Sequence, residues 1–145
     1  MDHYTKENFQ LTQSVGFFLN RARNTLLNEM DAALKELDIT GQQMGIVLSL
    51  TRGVAATPFE LSKLLGIDTG LMTRMLDKLE ARGLLQRSRC AEDRRVVKLA
   101  LTKKGQAVAE RIPEVAPAVL NHRLRNFTKA EFVEFRRLLA KFTDA

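Results

Sequence analysis

The stretch "TGLMTRMLDKLEARGLLQRSRCAEDRRVVKLAL", Thr69–Leu101, changes its hydrophobic rhythm partway along, and that change decides the fold. At roughly 100° per residue, Leu71, Met72, Met75, Leu76 and Leu79 crowd one side of a helix. Gly70, Thr73, Arg74, Asp77 and Ala81 take the opposite side, with Lys78 at its edge. Asp68 is placed to cap this helix and Gly83 to end it. Beyond Gly83 the period falls to two: Val97, Leu99 and Leu101 share one face, and Val96, Lys98 and Ala100 the other. That alternation predicts strands over Leu84–Arg89 and Val96–Leu101, joined by a turn at residues 90–95. The arginines Arg87, Arg89, Arg94 and Arg95 gather at the end of this hairpin.

Working outward, Thr57-Pro-Phe-Glu60 reads as a capping box with Pro58 at the first helical position, and Gly66 closes the segment it starts. The helices Pro58–Leu65 and Thr69–Arg82 are therefore separated by a few residues, as in a helix-turn-helix. Thr40-Gly-Gln-Gln43 is another box, opening a helix Thr40–Arg52. Upstream, apolar residues step by three and four from Phe9 to Leu37 and predict one long helix, longer than so small a core covers. Part of its face is therefore expected to meet another element or another chain. Downstream, Thr102 can cap a helix carrying Val108, Ile112, Val115 and Val119, which Pro113 and Pro117 should kink or split. Thr128-Lys-Ala-Glu131 opens a last amphipathic helix with the stripe Phe132, Phe135, Leu138, Leu139 and Phe142. The fold class is mainly α with a small β element: a winged helix-turn-helix flanked by terminal helices.

The chain of 145 residues is 45% hydrophobic, so a single packed domain is affordable and disorder is not indicated. No apolar run is long enough to span a membrane, and the start MDHYTKENFQ has no signal-peptide pattern, so neither membrane nor export is expected. The lone Cys90 excludes an internal disulfide and suits a reducing cytoplasm. With His3 and His122 far apart, no metal site is expected, and no cofactor motif is visible. From Arg82 to Lys104, eight basic residues stand against Glu92 and Asp93, a local excess equal to the whole net charge of +6. Such a concentration suits a polyanion, although a merely solvated charged surface has the same composition.

The polar side of Thr69–Arg82 discriminates between these. Small residues there allow close approach, and Arg74 and Thr73 can bond or touch base edges in a major groove. Arg94 and Arg95 at the hairpin tip can reach phosphates or an adjacent minor groove. Asp93 among them reads as structural, ordering the turn by an Asx-type hydrogen bond or an ion pair. Two other classes stay open at this point. A winged helix can serve as a protein-interaction module, which a neutral wing would favour. An enzyme would need a nucleophile–base pair or an acid–base couple, and Asp77 and Glu80 are read as lying on opposite sides of the helix edge.

The run from "ELDIT" through "TPFELSKLLGIDTGLMTRMLDKLEARGLLQR" to "EDRRVVKLALTKKG" resembles the multiple-antibiotic-resistance regulator (MarR) family, closely over Leu37–Gly105 and by element order over the whole chain. The resemblance implies a homodimeric transcriptional regulator, more often a repressor. Residues 1–38 and 106–145 would form intertwined dimerisation helices, and 39–105 the winged-helix DNA-binding region. Two copies would read a pseudo-palindromic operator on double-stranded DNA. By position, Thr69, Gly70, Thr73, Arg74 and Lys78 would be recognition-helix contacts, with Arg94 and Arg95 at the wing tip. Family members also release DNA on binding small aromatic acids or phenols. Pro58, Thr73 and Arg87 match positions lining one such ligand site, and His3, Tyr4, Arg21 and Arg52 are further candidates. Arg87 can hold a carboxylate, but a phosphate contact or an ion pair with the wing suits it equally. Peroxide-sensing members carry a reactive cysteine on the first helix; here that helix has none, and a redox response would have to use Cys90.

Overall fold

Six α-helices occur among residues 1–144, which the computed structural model describes, and each starts at a side chain that accepts from the backbone N–H three residues on. The caps are Ser14 for α1 (Val15–Leu34), Thr40 for α2 (Gly41–Arg52), Thr57 for α3 (Pro58–Leu65), Asp68 for α4 (Thr69–Ala81), Thr102 for α5 (Lys103–Leu124) and Thr128 for α6 (Lys129–Thr143). Each satisfies a donor that the helix itself leaves orphaned. Thr40 and Thr128 form complete capping boxes with Gln43 and Glu131. Thr57 does not: the Glu60 carboxylate accepts instead from Ala56 N, at 3.4 Å. Between α4 and α5 lie β1 (Leu85–Arg89) and β2 (Val97–Leu101), an antiparallel pair in which Leu85 faces Leu101 and Arg87 faces Leu99.

The first segment is not one helix from Phe9 to Leu37. A 3₁₀ turn at Leu11–Gln13 precedes α1, and another at Lys35–Leu37 follows it. Ser14 makes the first break: its hydroxyl donates to Leu11 O at 2.8 Å and accepts from Phe17 N at 3.1 Å, with the backbone extended. Periodicity cannot see this cap, because Leu11 and Val15 keep helical spacing across it.

One core gathers Leu34, Ile46, Val47, Leu61, Met72, Leu76, Leu79, Leu84, Leu85 and Ile112, all nearly inaccessible. Burial contributes about 1.5–3 kcal/mol for each large side chain. The buried residues of α4 are Met72, Met75, Leu76 and Leu79, so its opposite face is held outward by packing. Gly66, at φ +64°, ends α3 in the left-handed region and turns the chain into α4. Leu99 N donates to Ala56 O at 2.8 Å, which ties the outer edge of the hairpin to the α2–α3 loop.

Pro113 and Pro117 do not split α5, which runs unbroken from Lys103 to Leu124. Each proline removes one ladder donor. The helix is nonetheless held along its length by buried Ala109, Ile112 and Ala116, and by Arg123, whose Nε donates to Glu29 of α1 at 2.9 Å. Both prolines are exposed, so their rings lie away from that packed side.

α6 buries none of its residues. Phe132, Phe135, Leu138 and Phe142 stay exposed, as do Leu11, Val15 and Phe18 near the start of α1. The apolar stripes at both ends of the chain thus stay largely uncovered among the described residues.

Gly105 sits where α5 meets the hairpin base. A side-chain methyl there would overlap the Leu84 carbonyl oxygen, which already accepts from Thr102 N at 3.1 Å. Gly105→Ala should therefore destabilise the fold by about 3 kcal/mol, lowering the thermal midpoint by about 2–4 °C per kcal/mol. Calorimetry checks this, and an unchanged midpoint would show that the hairpin base yields freely.

Candidate nucleic-acid interface

α3, the turn at Gly66–Asp68 and α4 form a helix-turn-helix, with β1 and β2 as the wing beside it. Asp68 accepts from Leu71 N at 2.9 Å and fixes where α4 begins, so its first turn presents Thr69 and Gly70 outward. Thr73 and Arg74 follow on the same exposed side. The Thr73 hydroxyl donates to Thr69 O at 2.9 Å, leaving its methyl and an oxygen lone pair for a partner. Arg74 makes no ion pair among the described residues. Lys78, one turn on, borders a cleft of about 480 Å³ between α4 and α1, also lined by Asp31, Lys35, Asp38, Gln43 and Arg82. Arg82 Nη2 meets Asp38 Oδ2 there, at 2.9 Å. The sequence reading did not single out this cleft, since its walls come from segments some forty residues apart.

At the wing tip Asp93 does both things expected of it. Its Oδ1 accepts from Arg95 N at 3.0 Å, closing an Asx turn, and its carboxylate pairs with the Arg95 guanidinium at 3.1 and 3.2 Å. These bonds to Arg95 hold the Asp93 carboxyl below its ordinary range. Arg95 remains 91% exposed in its side chain, so the pair leaves its outer edge free. Arg89 Nη1 donates to Arg94 O at 3.2 Å, and Arg94 itself is exposed. Cys90 lies half-buried beside this turn, and hydrogen bonds from the backbone of Asp93 and Glu92 lower its thiol from the ordinary value.

The residues matched to a ligand site lie on three elements: Pro58 opens α3, Thr73 is on α4 and Arg87 on β1. Arg87 is already engaged. Its guanidinium meets Asp77 Oδ1 at 2.9 Å and Glu80 Oε1 at 3.1 Å, and its backbone N donates to Glu80 Oε2 at 3.2 Å. This corrects the placement of Asp77 and Glu80 on opposite sides of a helix edge. Three residues apart, they are neighbours on the helix surface, and one guanidinium joins them. An anion offered to Arg87 must displace two carboxylates. Of the further ligand candidates, His3 and Tyr4 line a second hollow of about 680 Å³ with Val15 and Phe142, while Arg21 and Arg52 are exposed on α1 and α2.

These features define a winged helix-turn-helix protein with a DNA-binding fold. Residues 39–97 match the MarR family model. The multiple antibiotic resistance protein MarR of Escherichia coli is 36% identical over 124 residues, 85% of this chain and 84% of that protein. The chain belongs to the MarR family of transcriptional regulators. A mutant MarR from Escherichia coli, solved in complex with operator DNA, superimposes with a TM-score of 0.81 at 29% identity, covering 88% of this chain and 92% of that one. BpsR of Bordetella bronchiseptica, whose DNA binding is regulated by 6-hydroxynicotinic acid, superimposes with a TM-score of 0.84 at 28% identity, covering 94% and 98%.

Because the Asp93 carboxyl is depressed in the folded wing, its contribution to turn order is present above the ordinary aspartate range and lost as pH falls through the lowered value. Carbon-detected NMR titration should place its midpoint below that of an unpaired aspartate, and Arg95→Ala should raise it. No movement in Arg95→Ala would mean the turn is ordered by the backbone alone.

Proposed function

We propose that this chain is a sequence-specific repressor of transcription that binds DNA as a homodimer and is released by a small aromatic acid or phenol. Residues 39–105 are the DNA-binding region; 1–38 and 106–145 are the dimerisation helices. α4 enters the major groove through Thr69, Gly70, Thr73, Arg74 and Lys78, and Arg94 and Arg95 reach the minor groove or the backbone. The observation that carries this reading is the pairing of α4's exposed polar face, with Arg74 in no ion pair among the described residues, and a wing whose tip exposes Arg94 and Arg95. The operator complex of the Escherichia coli relative supports it.

The uncovered apolar side chains of α1 and α6 support the homodimer: Val15, Phe18, Phe132, Phe135, Leu138 and Phe142 are exposed there in a single copy. The regulation of BpsR by 6-hydroxynicotinic acid supports a small aromatic effector. In this chain the effector would touch Pro58 and Thr73, and reach Arg87 only by displacing Asp77 and Glu80. A protein-interaction module is disfavoured by the strongly basic wing, since a local cationic excess of this kind is the electrostatic footprint of a polyanion.

A mobility-shift assay on the DNA upstream of the chain's own gene tests the reading. A sequence-preferring complex that weakens steeply with salt is expected, because phosphate contacts release counterions. Arg74→Ala should cost about 1–3 kcal/mol and relax base preference at one position, whereas Arg94→Ala should weaken all sequences alike and lower the salt slope by about one. Equal behaviour of the two variants would remove the division of labour. In the same assay 6-hydroxynicotinic acid and other small aromatic acids should dissociate the complex, and in sedimentation Phe135→Glu should yield monomers. A monomeric wild-type chain at micromolar concentration would count against the whole scheme.

A further inference from the structure

We propose that Arg87 is a positioning residue that clamps the wing to the recognition helix, so that both meet DNA as one rigid body. The strand register puts it in place. Directly opposed residues of an antiparallel pair project from the same face. Arg87 therefore shares its face with Leu99, and with Leu85 two residues away, both of which are buried. This is the side turned to the core, where alternation would put a hydrophobic residue. The Arg87 side chain is only 27% exposed, and its head emerges against α4.

What it meets there is specific in geometry. Asp77 and Glu80 stand on successive turns of α4, and the planar fork of a guanidinium reaches both at once, at 2.9 and 3.1 Å. The Arg87 backbone N–H adds a third bond, to Glu80 Oε2. A two-stranded hairpin is marginal by itself, so its orientation must come from such anchors. On the inner face, Leu85 anchors the base in the core, and Leu99 N ties the outer strand to Ala56 O. Arg89, further out on the same face, turns to the tip and bonds Arg94 O rather than the helix. Arg87 is thus the outermost link from β1 to α4 among the described residues.

The clamp also settles an electrostatic conflict. Asp77 and Glu80 lie beside the surface offered to phosphates, and both side chains are at least 40% exposed. Unpaired, they would repel the backbone that Arg74 and Arg94 attract. Joined to Arg87, the two carboxylates have half of their negative charge offset, and the free cations stand on either side of them. Arg87 is in this sense a spacer in the charge pattern, and its own charge is not available to DNA.

The DNA arm of the test rests on the function proposed above; a second arm does not. In the free protein, backbone order parameters for Ser88–Lys98 are compared in wild type, Arg87→Ala and the double variant Asp77→Asn/Glu80→Gln. Wing order should fall below about 0.6 in both variants while the helices stay near 0.85. On the operator, Arg94→Ala should weaken wild type about tenfold but either clamp variant about twofold, since coupled contacts are non-additive. Major-groove methylation protection under α4 should survive. The proposal is overturned if Asp77→Asn/Glu80→Gln keeps an ordered wing, or if it binds operator as well as wild type with the Arg94 effect intact. The second result would make Arg87 a plain phosphate contact. Should wild type bind no DNA at all, the functional reading fails, and the order parameters still decide the clamp.

Discussion

The burial of one side of α4 is the constraint on which the rest of the molecule depends. Met72, Met75, Leu76 and Leu79 sit in the core, where α4 packs on α3 and the hairpin base, and this packing fixes the rotation of the helix about its own axis. A helix turned by one residue would swing Thr73 and Arg74 through roughly 100° and bury a guanidinium. The polar face is therefore as well defined as the core, and Arg87 meets it at Asp77. Asp68 and Gly66 add the longitudinal setting: one fixes the first turn, the other brings α3 in at the angle that leaves this turn exposed.

Much of this was legible in the sequence because it depends on short-range chemistry. The caps at Thr40, Asp68, Thr102 and Thr128 are local patterns with a local cause, and the change of period after Gly83 is a direct statement about backbone geometry. The fold class, α3 and the turn chemistry of Asp93 follow from such signals. Elsewhere the local signal was silent or misleading. The break at Ser14 hides behind apolar residues that keep step across it. Pro113 and Pro117 argue for a split that packing along α5 overrides. The partners of Arg87 were illegible, because they depend on which face of β1 turns inward, and that is set by a register with β2 and by contact with a helix seven residues earlier. Asp77 and Glu80 had nonetheless a usable signal: two acids three apart, upstream of a strand arginine.

The charge distribution is more economical than its total suggests. Of the basic residues between Arg82 and Lys104, Arg82 is held by Asp38, Arg87 by Asp77 and Glu80, and Arg95 by Asp93. Lys104 Nζ donates to Arg82 O at the helix end. Those bonds shape the turn, the wing and the C-terminus of α4. In the proposed complex the work of attraction falls to Arg74, Lys78, Arg94 and the outer edge of Arg95, with the other cations of the segment that form no ion pair among the described residues. Surface pairs of this kind contribute only about 0–1 kcal/mol each to stability; their value lies in fixing direction.

The terminal helices carry a consequence of another kind. Because α6 buries none of its residues fully within the described chain, a lone subunit is missing part of the hydrophobic free energy that a domain of this size depends on. In the proposed dimer that deficit is made up only on encounter with a second copy, so resistance to unfolding becomes a function of abundance through mass action. A cell making few copies would hold a population exposed to proteases, and one making many would hold a durable pool. For a regulator of transcription, turnover and occupancy of DNA would then be tied to the same quantity.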